Sequence, residues 1–261
     1  MKYAVYTLTA REYGMEELAP RLAAYGYDGV EWRIHPEGDI KLDELEEKAE
    51  LVRGLAQAHG LEIASLATYL PLDDLGGIER LFRAAQAMGC LRARVYVPRY
   101  DPQIGYHRQF QEAVENLAKI EKLAGHYGVK ALLETHHGNI ACSASLAHRL
   151  VKDFDPECIG VLFDPGNMVF EGFEAWQMGL ELLGEHLGYV HVKNSAWRRE
   201  GQVWRREWVP MPEGQVNWRE VMAALKAVGY NGWLSFEDFS PLPSEDKLRD
   251  NIAYLKGMEQ D

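Results

Sequence analysis

The sequence predicts one (β/α)8 barrel. Short apolar runs alternate eight times with amphipathic helical stretches along the chain. Glycine closes most of the helical stretches, where a left-handed cap is favoured. The 261 residues suffice for eight strand–helix units of roughly 25–45 residues each around a single core. An open doubly wound sheet is the main alternative. It lacks its marker, because no GxGxxG follows the first strand.

The elements follow in order. The first strand is Tyr3–Leu8, with a helix from about Gly14 to Tyr25 closed by Gly26. The second strand is Gly29–Ile34. Its helix runs from about Leu42 to His59, with Asp43 and Glu44 suiting the positive end of the helix dipole. The third strand is Glu62–Ala67, followed by a helix from about Gly77 to Met88. The fourth is Arg94–Val97, stopped by Pro98, and a long helix covers Tyr106 to Tyr127. The fifth strand, Val129 to Leu133, ends in Glu134-Thr135-His136-His137. Ser143 is a good N-cap for the helix that reaches Lys152. The sixth strand is Ile159–Phe163, before Asp164-Pro165-Gly166-Asn167. A helix is expected over Phe173 to His186, and the seventh strand is Tyr189–Lys193. The stretch 194–214 is the longest non-helical insertion and a candidate lid or contact segment. Asn217 then caps a helix from Trp218 to Val228. The eighth strand is Gly232–Glu237, and a last helix covers about Ser244 to Met258.

Composition narrows the function. A formal net charge of −12, from 40 acidic and 28 basic residues, disfavours nucleic acid, whose binding needs Lys and Arg against phosphates. A small-molecule substrate fits better. The three cysteines are widely spaced, so neither a disulfide framework nor a CxxC metal site is expected, and a reducing, cytoplasmic location is. No stretch reads as a signal peptide or a membrane span.

Four successive strands each end in a metal-competent side chain: Glu134, Asp164, His191 and Glu237. A charged group at the end of a buried strand needs a partner. Taken singly, each has a plain alternative: a salt bridge, a turn residue, a satisfied core histidine or surface charge. In a barrel, however, all four face one site. Three carboxylates and one imidazole suit Mn2+, or Mg2+, Co2+ or Zn2+, better than they suit a thiol-type zinc site. A divalent ion there can hold two oxygens of a hydroxy-ketone and stabilise the enediolate left when a neighbouring C–H loses its proton. Glu134 and Glu237, three strands apart, can flank that carbon as an acid–base pair.

These residues resemble the xylose isomerase-like, sugar phosphate isomerase/epimerase superfamily of TIM barrels. The resemblance spans the chain. It rests on Gly29-Val30-Glu31, Glu134-Thr135-His136, Asp164-Pro165-Gly166-Asn167, His191-Val192-Lys193-Asn194, Gly214-Gln215-Val216-Asn217-Trp218 and Glu237. It implies that Glu134, Asp164, His191 and Glu237 hold the metal, and that the two glutamates move protons in a sugar isomerase or epimerase such as the ketose 3-epimerases. Keto-inositol dehydratases and hydroxypyruvate isomerases are also similar. Two positions depart from the pattern: Asn167 stands where His is usual, and Asn194 where many members have Asp. The other readings are a lyase dehydrating a keto-polyol, a multi-zinc endonuclease-like hydrolase and a non-catalytic sugar-binding barrel. Expected substrate contacts are Glu31, His136, Asn167, Lys193 and Arg199 of the insertion. Barrels of this superfamily often pair through exposed helices, so a homodimer is compatible with the sequence.

Overall fold

The computed structural model describes residues 1–38 and 40–259. Eight parallel strands close into a barrel: β1 (Lys2–Tyr6), β2 (Gly29–Arg33), β3 (Glu62–Pro71), β4 (Arg92–Tyr96), β5 (Lys130–Glu134), β6 (Ile159–Phe163), β7 (Leu187–Val192) and β10 (Trp233–Phe236). β10 returns to pair with β1, Val5 opposite Phe236. The helices between them are α1 (Met15–Tyr25), α2 (Leu45–Ala58), α3 (Leu75–Met88), α4 (Tyr106–Tyr127), α5 (Ala144–Val151), α6 (Pro165–Phe170), α7 (Trp176–Leu183), α8 (Trp218–Ala227) and α9 (Ser244–Glu259). None of the described helices is long and apolar enough to cross a membrane. In α4, Ala113, Leu117, Ile120 and Ala124 recur at helical spacing and are buried, and Gly128 (φ 66°) closes the helix.

The pleat decides which residues reach the site. The larger core lies between strands and helices. A smaller one, Ala4, Ala64, Leu132, Leu162, Tyr189 and Trp233, is separate from it and fills the barrel. Inside the barrel Trp233 reaches past β1 to β2, where a Cβ at Gly29 would lie 2.7 Å from its ring. Side chains two positions on share a face. The inward series of Leu132, Leu162 and Tyr189 therefore continues to Glu134, Asp164 and His191.

One expectation needs correction. The single helix over Phe173–His186 is instead the shorter α7 and a 3-10 turn at Gly184–His186, with a further short helix, α6, ahead of them. Asp164 caps α6 by accepting from the Asn167 N–H at 2.9 Å, and Pro165 fits its first turn. The helix therefore starts directly after the strand. It stops before Gly172, whose positive φ of 87° lets the chain pass tightly against the Cys142 carbonyl. The insertion at 194–214 is a hairpin: β8 (Asn194–Glu200) pairs antiparallel with β9 (Val203–Val209) from Asn194↔Val209 to Glu200↔Val203. The two-residue turn between them starts at Gly201 (φ 63°).

Asn194 anchors the base of this hairpin, which accounts for the amide at that position. Its Nδ2 donates to Met211 O (2.7 Å) and Val216 O (3.1 Å), and its Oδ1 accepts from the N–H groups of Ser195 and Val216, both at 2.9 Å. Gly214 gives it room, since a Cβ there would lie 2.0 Å from Oδ1. An Asp could not donate to two buried carbonyls. Asn194→Asp is expected to cost about 2–4 kcal/mol in denaturant unfolding; an unchanged midpoint would contradict this role.

Candidate metal centre

Glu134, Asp164, His191 and Glu237 converge at the carboxyl ends of β5, β6, β7 and β10. Each offers a ligand atom within 4.8 Å of the others, and all four are buried. His191 Nδ1 lies 3.5 Å from Glu134 Oε1, 3.6 Å from Asp164 Oδ2 and 3.4 Å from Glu237 Oε2. It makes no hydrogen bond with any of them. The opposite ring nitrogen is fixed: Nε2 lies 3.1 and 3.3 Å from the two oxygens of Glu31, which is buried on β2. With Nε2–H donating to Glu31, Nδ1 is the ring nitrogen that faces the three carboxylates. A buried nitrogen aimed at ligand oxygens, and oriented by a carboxylate behind it, is the arrangement that holds a divalent ion. Bonds of about 2.1 Å place opposite ligands about 4.2 Å apart, so the set needs to close by only about half an ångström. The residues present fit the metal.

Two cations already engage these carboxylates. Arg94 of β4, 2% exposed, donates from Nη1 to Glu134 Oε2 at 2.9 Å and lies 3.9 Å from Glu237 Oε1. Its other nitrogens reach Thr68 O (3.3 Å) and the Tyr6 hydroxyl (3.4 Å). The Lys193 ammonium binds Asp164 Oδ2 at 2.8 Å and Glu237 Oε2. Burial pushes the Glu134 carboxyl up, but Arg94 and the neighbouring imidazoles outweigh it and hold the carboxyl well below its usual range. Burial also raises Glu237, and Lys193 with His191 brings it down to about 2. Both glutamates are therefore ionised at neutral pH.

For His191, burial favours the neutral ring, but Glu31 and Glu237 raise its pKa well above the ordinary value. Protein stripped of metal thus carries a proton on His191 at pH 7, and a metal must displace it. We expect metal uptake to release about one proton at pH 7, read by calorimetry in buffers of different ionisation enthalpy. Apparent affinity should weaken as pH falls. In stripped protein, the raised pKa gives stability that is complete below the ordinary value of about 6.5 and lost as pH rises through the folded value. Uptake without proton release would contradict this protonation state.

The remaining expected contacts divide. Asn167 joins the centre: its Nδ2 donates to Glu134 Oε1 (3.1 Å) and Asp164 Oδ2 (2.8 Å), and its Oδ1 accepts from His137 Nδ1 (3.1 Å). Burial and the neighbouring His136 lower the His137 pKa to about 4, so that ring is neutral. His136 stacks on His137 with centroids 4.3 Å apart and bonds its carbonyl. Glu31 lies behind His191, with both its oxygens on Nε2. Arg199 is not brought to the centre. It is exposed near the hairpin turn, where its Nε donates to Gly201 O at 2.9 Å. Of the hairpin, the Trp208 ring centroid lies 4.8 Å from Lys193 Nζ, and Arg206 lies over the rings of Phe170 and Trp197. Sequence reasoning missed Arg94, Tyr6 and Trp208. Arg94 had a visible signal, a charge flanked by the apolar Ala93 and Val95.

Comparison with known proteins agrees with this architecture. The family described as xylose isomerase-like TIM barrel matches residues 20–258. An inosose dehydratase from Geobacillus kaustophilus is 23% identical over 217 residues, covering 71% of this chain and 70% of that protein. The probable 3-DHS dehydratase AsbF from Bacillus anthracis superposes with a TM-score of 0.81 at 19% identity, over 98% of this chain and 99% of that one. The 3-keto-D-glucoside 4-epimerase YcjR from E. coli superposes with a TM-score of 0.78 at 17% identity, over the same shares.

Proposed function

The chain belongs to the xylose isomerase-like TIM-barrel family, and on that premise we propose that it is a divalent-metal enzyme moving a proton next to the carbonyl of a small carbohydrate. The observation that carries this reading is His191 Nδ1, unpartnered among three carboxylates and oriented by Glu31. Glu134, Asp164, His191 and Glu237 would hold the ion. When bound, the metal polarises the substrate carbonyl and offsets the charge that forms as the C–H proton leaves.

The chain's own groups do the rest. Glu134 and Glu237 are ionised and approach from strands three steps apart, so one can remove a proton that the other returns. Return to the neighbouring carbon isomerises the sugar, and return to the opposite face epimerises it. Arg94 and Asn167 fix both oxygens of Glu134. Arg206, over the aromatic rings of Phe170 and Trp197, would be the hairpin cation that meets a substrate oxygen.

Loss of water is the second reading, and the Lys193 ammonium on Glu237 favours it. After a carboxylate takes the proton next to the carbonyl, the β C–O bond breaks and the departing hydroxide takes a proton from Lys193. The inosose dehydratase and the 3-DHS dehydratase named above are relatives with dehydratase names. NMR in heavy water, on a ketose panel and on inosose with manganese present, separates the readings. Deuterium at the carbon next to the carbonyl with the carbon count and hydroxyls kept supports the isomerase or epimerase. An alkene-type ketone product supports the lyase. Neither exchange nor loss of water on any substrate would count against both.

A further inference from the structure

Lys193 is built into the ligand set itself. Its ammonium binds Asp164 Oδ2 and Glu237 Oε2, the same two oxygens that lie 3.6 and 3.4 Å from His191 Nδ1. A divalent ion on His191 would draw on those oxygens, and a fixed positive charge at hydrogen-bonding distance from both opposes a second cation there. The side chain is 2% exposed, so water does not screen the two charges from each other.

The route of the side chain is shaped for it. A Cβ on Gly166 would lie 2.5 Å from Lys193 Cγ and 3.3 Å from Cε, so only glycine in the Asp164–Asn167 turn leaves the stem its path. The Trp218 indole holds the Lys193 carbonyl at 3.2 Å. On the hairpin side, the faces of Trp208 and Phe239 lie 4.8 and 5.3 Å from Nζ. Nζ therefore already lies over two aromatic faces, where cation–π attraction can keep the ammonium when an ion takes the carboxylates.

We propose that Lys193 is an internal competitor of the metal: its ammonium holds the carboxylates together when no ion is bound, and it must give them up, keeping the faces of Trp208 and Phe239, for an ion to enter. Lys193 thereby sets how tightly the site holds its ion. Arg94 does not compete in the same way, because it takes Glu134 Oε2 and leaves Oε1, the oxygen nearer His191, to Asn167 and the centre. The inference rests on the metal-binding reading above, and the test separates the two.

The test is Mn2+ binding by calorimetry to EDTA-stripped wild type, Lys193→Met and Lys193→Gln, with thermal unfolding of each stripped protein. The neutral variants should bind Mn2+ at least about tenfold more tightly than wild type, and their stripped forms should melt at lower temperature, because the carboxylates then repel without a counter-charge. A merely structural lysine would lower stability without tightening the metal. Equal or weaker binding in both variants would overturn the proposal. If wild type binds no Mn2+, the metal-binding reading itself fails for the native chain; neutral variants that then acquire binding would still support competition, and variants that remain unable to bind would overturn it. If Lys193→Met fails to fold, Lys193→Gln, which keeps a donor, carries the comparison.

Discussion

Glu134→Gln and Glu237→Gln should each lower kcat for proton exchange next to the carbonyl by about a thousandfold, the scale of a lost general base. The amide keeps a neutral oxygen toward the ion and nearly the same shape, but it cannot accept the proton. The two variants should also differ from each other. Glu134 is tied by Arg94 and Asn167 at both oxygens, so its amide would face Arg94 and Asn167 donors with one of its own. Glu237→Gln meets the ammonium of Lys193 instead. Glu134→Gln should therefore lose stability as well as rate, and Glu237→Gln chiefly rate. Kinetics with metal content measured in parallel checks this; wild-type rates in either variant would remove that glutamate from the chemistry.

Glu31→Ala should weaken metal binding about 10- to 100-fold, although Glu31 would touch no metal. Among the described residues its carboxylate is the one hydrogen-bond partner of His191 Nε2, and it fixes which ring nitrogen faces the centre. Without it the ring can turn and the proton can sit on either nitrogen. Glu31→Gln keeps an acceptor and should recover part of the loss. A titration with Mn2+ followed by calorimetry reads both variants, and unchanged affinity in Glu31→Ala would mean that His191 is oriented by something else.

The centre was legible in sequence because a barrel strand carries its own address. Glu134, Asp164, His191 and Glu237 each close a buried strand, and parallel strands put their carboxyl ends together. The supporting residues were harder to read. Glu31 pairs with His191 across 160 positions, a contact created by barrel closure and by pleat phase. The short run Arg92–Tyr96 does not announce which of its faces is inward, so Arg94 passed as an ordinary strand residue. Asn194 was only a departure from the Asp of similar sequences until its two donated bonds supplied the reason for an amide. In the hairpin, register rather than composition separates Arg199 near the turn from Arg206 and Trp208 nearer the centre. The short α6 was hidden because Asp164 serves as helix cap and ligand candidate at once.

The most direct measurement is the metal content of purified protein after loading with manganese, by elemental mass spectrometry, beside His191→Ala. The account predicts about one divalent ion per chain in the wild type and its loss in the variant, with the fold retained by circular dichroism. No bound ion in the wild type, or equal occupancy in both proteins, would contradict a metal centre built on Glu134, Asp164, His191 and Glu237.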